Sequence, residues 1–207
     1  MPEFEKVCHG AEGLELADSI TGDAHKLLNV PYDCGFFFCR HQDLAHQVFQ
    51  NANAAYLNLV TTGPVTIPSP LNIGLENSRR FRGLPVYATL IAYGRDGYRE
   101  MLERQIRFAR VVAAYIHEHP AYELLPESLD CRDRIDQETF IVVLFKAKDA
   151  SLNMDLVRRI NSSAKMYVSG TKWHGQPASR IAVANWQVDP TRDLELVKTI
   201  LEAVLRD

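Results

Sequence analysis

Hydrophobic and polar positions change rhythm along this chain, and each change marks an element. Near the start, one short apolar run ends at Ile20 and another comprises Gly35, Phe36, Phe37, Phe38 and Cys39, with a polar stretch between them. Short apolar runs bounded by turn residues predict a strand, a turn carrying Lys26, and a second, buried strand. After Arg40 a polar, Asn/Gln-rich stretch reaches Ala54-Ala55-Tyr56-Leu57, and Gly63, Pro64, Pro68 and Pro70 follow. Prolines at that density forbid a continuous helix or central strand, and a loop this long inside a compact domain is often a functional lid. Beyond it a basic start at Ser78, Arg79, Arg80 and Arg82 gives way to an apolar body. There Leu84, Ala88 and Ile91 recur at helical spacing, which predicts a helix ending at Gly94.

The second half reads more regularly. Leu102, Ile106, Ala109, Val112, Ala113 and Ile116 form one stripe of a long amphipathic helix closed by Pro120. A short strand at 122–125, a polar loop over 126–137 and a buried strand at 139–145 come next. Ser151 is placed to cap a helix carrying Leu152, Leu156 and Ile160. Strands around 166–171 and 180–186 lead to Asp189-Pro190, which opens a last helix with Leu194, Val197, Leu201 and Val204 inward. The order suggests a small antiparallel sheet covered by helices. Two parts result, residues 1–95 and 96–207.

A length of 207 residues with 46% hydrophobic and 24% charged residues describes a globular chain able to bury a substantial core. The net charge of −3 and the lack of any basic cluster beyond Arg79, Arg80 and Arg82 argue against a nucleic-acid partner. No apolar run reaches membrane-spanning length, and the first residues resemble no signal peptide, so a cytoplasmic protein is expected. Cys8, Cys34, Cys39 and Cys131 lack zinc-ligand spacing and read as reduced thiols, with Cys34 and Cys39 buried. His117 and His119, two apart on a helix, point to different faces, and no metal is expected.

Lys26 carries the chemistry. A lysine at the edge of a core has its charged form disfavoured, which makes available the neutral amine that an aldehyde cofactor requires to form an imine. Ser19, Ile20, Lys26, Leu27, Leu28, Tyr32, Cys34, Phe37 and Arg40 together resemble the attachment-site signature of the pyridoxal-phosphate-dependent group II amino acid decarboxylases, the glutamate, aromatic amino acid and histidine enzymes among them. The resemblance runs on through Asn185 and spans nearly the whole chain, matching about the second half of a family member.

That resemblance implies an α/β chain: the C-terminal part of the aspartate-aminotransferase-like fold, with the end of the large domain over 1–95 and a small α+β domain over 96–207. It implies pyridoxal 5'-phosphate bound through Lys26, with His25 on the cofactor phosphate and Ser78 near the phosphate of a neighbouring subunit in a homodimer. Tyr56, on the lid, is the implied proton donor to the substrate carbon once carbon dioxide leaves. Arg180, read as the start of an apolar strand, is the implied partner of the amino acid's carboxylate. Asp23 stands where some relatives carry a phosphate-facing Asn or Ser. An ionised carboxylate repels phosphate, so backbone hydrogen bonds within the loop are its expected role.

The chain starts only 25 residues before Lys26, so the family's ring-stacking histidine and its pyridinium-pairing aspartate map onto nothing here. A truncated decarboxylase is therefore expected. The alternatives are a non-catalytic remnant serving as a dimerisation or interaction module, and a related lyase acting on phosphorylated amines.

Overall fold

A computed structural model describes residues 2–50, 72, 74–76 and 78–206. The elements, in order, are α1 (Glu5–His9), β1 (Ser19–Asp23), α2 (Ala24–Leu27), β2 (Gly35–Cys39), α3 (Gln42–Phe49) and α4 (Gly83–Glu118). They continue with β3 (Tyr122–Leu125), α5 (Arg132–Glu138), β4 (Val142–Ala147), α6 (Ala150–Ser162), β5 (Ser169–Trp173), β6 (Gln176–Ala182) and α7 (Pro190–Val204). Two compact units emerge: residues 2–12 with 93–206, and the described part of 13–92.

The larger unit is an antiparallel four-stranded sheet in the order β3-β4-β6-β5. Strand alternation places Val143, Phe145 and Ala147 of β4 inward, where they meet Ile116, Leu156, Ile160 and Leu201 from the helices in one core. The stripe anticipated on α4 is real: Ala109, Val112, Ala113 and Ile116 are fully buried. Gly94, at φ 61° and ψ −175°, breaks α4 where the sequence predicts a helix end, a conformation open to glycine and costly for most residues. The last helix begins as expected, Asp189 accepting from the backbone N–H groups of Thr191 and Arg192, with Pro190 in the first turn.

Several expectations need correction. The loop read over 126–137 contains helix α5, short and closed against the core by Ile135 alone, so it leaves almost no apolar period to detect. Asp149, not Ser151, caps α6, accepting from the N–H of Leu152 at 2.7 Å. Strands β4, β5 and β6 lie displaced from the expected ranges, because backbone pairing across the sheet, and not the apolar run of any one strand, sets where each begins. The Asn/Gln-rich stretch after Arg40 opens with helix α3.

The N-terminal residues of the larger unit are held by charge. Arg110, only 4% exposed, donates from Nη1 to the Glu3 carbonyl and from Nε to the Thr139 carbonyl. Arg107 makes a two-pronged pair with the Glu3 carboxylate, and both guanidinium groups lie over the Phe4 ring. Beside α7, His119 accepts the Ala121 N–H at Nδ1, so Nε2 carries the hydrogen that Glu202 accepts. That contact holds the Glu202 carboxyl below the usual glutamate range. Among the described residues no helix is long and apolar enough to cross a membrane.

Candidate active site

In the smaller unit, β1 and β2 pair antiparallel from Ser19↔Cys39 to Asp23↔Gly35, and the connection between them begins with α2, a single turn bearing His25 and Lys26. The pairing sets Phe36 opposite Gly22 so closely that a Cβ on Gly22 would lie 2.4 Å from the ring's Cζ. Gly22 is therefore a matter of space, and the ring over it fixes the strand leading into α2.

Beneath the turn, Ala24, Val30 and Cys34 make a small buried cluster with Leu28, Phe36 and Val86 around it. Cys34 joins the parts. Its carbonyl accepts both the backbone N–H of His25 at 3.1 Å and the ring Nδ1–H at 3.2 Å, while its thiol donates to the Arg82 carbonyl at 3.5 Å. With Nδ1 so engaged, Nε2 is the ring atom left to meet a ligand, as acceptor in the neutral ring and as donor in the protonated one. The Tyr32 ring lies 4.5 Å from that imidazole, tilted 42°.

Lys26 departs from expectation. Its side chain is two-thirds exposed and not set against the core, and its Nζ pairs with the Asp23 carboxylate at 2.5 Å. The hydrogen bond and charge of Lys26 hold the Asp23 carboxyl below the usual aspartate range. Asp23 itself occupies the N-cap position of α2 yet makes no side-chain cap bond, so the backbone role expected of it is replaced by the lysine. A one-turn helix has too little apolar face to press a long side chain inward.

The other expected residues are distributed as follows. Ser78 is exposed, in a basic stretch tied to the loop after Lys26: Arg80 and Arg82 both pair with Asp33, and Arg82 also with Glu76. Tyr56 lies outside the described residues. Arg180 is the fifth residue of β6, not the first of a strand, and pairs across the sheet with Leu144 and Ser169. Its neighbours Ser179 and Ile181 are buried, so strand alternation turns Arg180 to the opposite, exposed face, and no burial cost arises. Cys34 is buried as expected. Cys39 is only half-buried, and the β2 strand expected to be buried exposes Phe37 and Phe38 by 59% and 64%. Likewise Leu84 and Ile91, read as the apolar body of the first part of α4, are exposed. Among the described residues no three His, Cys, Asp or Glu side chains are grouped to hold a metal ion.

The sequence model described as the pyridoxal-dependent decarboxylase conserved domain matches residues 2–131, more than half of the chain, and that match contains the whole Lys26 turn. The chain belongs to this decarboxylase family. Pyridoxal phosphate is thus the cofactor of its family, as the residues around Lys26 lead one to expect. Among curated relatives, an L-2,4-diaminobutyrate decarboxylase of Acinetobacter baumannii is 27% identical over 95% of this chain and 37% of its own length. An aromatic-L-amino-acid decarboxylase of Sus scrofa is 26% identical over 91% and 36%. A solved Oryza sativa TDC, crystallised with PLP and tryptamine, superposes with a TM-score of 0.81 at 22% identity, covering 99% of this chain and 41% of that one. Catharanthus roseus tryptophan decarboxylase, solved with L-tryptophan, gives 0.75 at 20% identity, over 100% and 40%. The fold is therefore that of the aspartate-aminotransferase-like enzymes, over about two fifths of their length. The sequence reading missed the pairing of Asp23 with Lys26, the ion pairs of Asp33 and the joining role of Cys34. Only the i,i+3 spacing of Asp23 and Lys26 offered a signal for the first.

Proposed function

We propose that the protein acts in the decarboxylation of an L-amino acid, with Lys26 as the residue to which the cofactor is joined. The observation that carries this reading is an exposed primary amine beside an imidazole on one turn, inside the region matched by the decarboxylase family. These residues suit the group: an aldehyde needs an amine it can reach, and a phosphate needs a nearby donor, which His25 Nε2 becomes when the ring is protonated. When bound, pyridoxal phosphate supplies the electron sink for the bond broken at the substrate's α-carbon.

The chain's own residues would divide the remaining work. Lys26 holds the cofactor and yields that place to the incoming amino acid. His25 keeps its ring oriented through Cys34 and, in its protonated form, donates from Nε2 to the phosphate, and Ser78 serves the phosphate of a second subunit in a homodimer. Arg180 offers two parallel N–H groups to the substrate carboxylate, fixing which bond is broken. Tyr56 or Lys26 returns a proton to the α-carbon, and the products are an amine and carbon dioxide.

A second reading, a dimerisation or interaction module without catalysis, is favoured by the exposed Phe37, Phe38, Tyr87 and Ile91. Pyridoxal phosphate added to the purified protein separates the two. Under the first reading a visible absorbance develops, borohydride fixes the label on the Lys26 peptide, and Lys26→Ala abolishes both. An amino acid panel then releases carbon dioxide for the substrate class. A wild-type chain that takes no label sinks the first reading and leaves the second.

A further inference from the structure

Asp23, the N-cap of α2, lies three residues before Lys26, the third helical position, and their side chains are in contact. Three other carboxylates of this unit have partners of their own: Asp33 pairs with Arg80 and Arg82, Glu76 with Arg82, and Asp18 with the His41 ring. Asp23 forgoes the cap bond that its position invites and contacts the lysine through Oδ2 instead. The remaining titratable group on the turn, His25, has its Nδ1 committed to the Cys34 carbonyl and is not interposed.

We propose that Asp23 is a positioning residue that parks the Lys26 ammonium and sets how readily that amine adds to an aldehyde. This rests on the reading of Lys26 as the attachment residue. For a carbon–nitrogen bond to form, the ammonium first gives one proton to solvent. The nitrogen lone pair then bonds to the aldehyde carbon, and the aldehyde oxygen leaves as water with the two remaining hydrogens of the amine. Only the neutral amine has that lone pair, and the Asp23 carboxylate in contact with Nζ holds the nitrogen against itself and away from an incoming aldehyde. A neutral side chain at position 23 removes this restraint and leaves the helix cap as it was.

The test compares the wild-type protein with Asp23→Asn, measuring the rate of borohydride-trapped attachment to Lys26 by peptide mass. Both pyridoxal and pyridoxal phosphate are used, from neutral to alkaline pH. The expected result is attachment roughly two- to fivefold faster in Asp23→Asn at pH 7 with either aldehyde, the size an exposed ion pair supports. The rates converge as alkali strips the amine of its proton. Asp23→Ser, which also removes the charge, gives the same acceleration. Equal rates with pyridoxal at pH 7 overturn the proposal. So does acceleration confined to pyridoxal phosphate, which would mean that Asp23 only repels phosphate, or an acceleration unchanged in alkali, which would mean a loosened turn. Labelling that persists undiminished in Lys26→Ala would instead overturn the attachment reading itself.

Discussion

Single residues decide the shape of the Lys26 turn, and the tightest of them is Gly22. A methyl group there would lie 2.4 Å from Phe36 Cζ, inside any tolerable contact, whereas at Gly35 the nearest atom would be the Gly22 carbonyl oxygen at 3.5 Å, an ordinary separation. Gly22→Ala is thus expected to displace the Phe36 ring and cost about 1–3 kcal/mol, the usual penalty of overpacking. Gly35→Ala is expected to stay within about 0.5 kcal/mol of wild type. Chemical denaturation followed by the fluorescence of a probe attached near the hairpin checks the pair, and equal losses would refute the steric account. Composition alone could not rank these glycines, since both lie in short strands with similar neighbours. The register Gly22↔Phe36 ranks them.

Elements show where local sequence suffices and where it misleads. Helix α7 starts at Asp189-Pro190 because cap and first-turn proline act within a few residues of each other. At α6 both Asp149 and Ser151 are good capping types, and the choice falls to Asp149 because the Lys148 N–H is drawn to the Ala121 carbonyl, which fixes the entry of the chain one residue before the cap. Asp149→Ala is expected to lower stability by about 1 kcal/mol and Ser151→Ala by a few tenths at most. Thermal melts of the two variants read the difference, and the reverse order would return the cap to Ser151. Arg180 illustrates the same limit: its strand was legible, but its place within the strand depended on pairing with β4 and β5.

At the scale of the whole molecule, the two compact units differ, among the described residues, in how much apolar surface they bury. The larger holds a continuous core through Tyr122, Phe145, Ile116, Leu156 and Leu201, while the described part of the smaller has Ala24, Val30 and Cys34. Stability follows buried apolar area, so unfolding of the smaller unit is expected to precede that of the larger. Hydrogen exchange should find the most protected amides in β3, β4 and β6 and earlier exchange in β1 and β2. Leu201→Ala is expected to cost about 2–5 kcal/mol and to erase that protection first in the larger unit. Uniform exchange across both units would contradict this division.

What the sequence determined by itself is what short-range physics controls: the strand, turn and strand around Lys26, the buried stripe of α4, the break at Gly94 and the capped start of α7. Each depends on the steric and hydrogen-bonding preferences of a few consecutive residues, and the same residues carry the family signature. Tertiary structure alone decided why Gly22 must lack a side chain, and that Phe37, Phe38 and Arg180 face outward. Those outcomes turn on strand register and on pairing between strands, and no local pattern of apolar and polar residues encodes either.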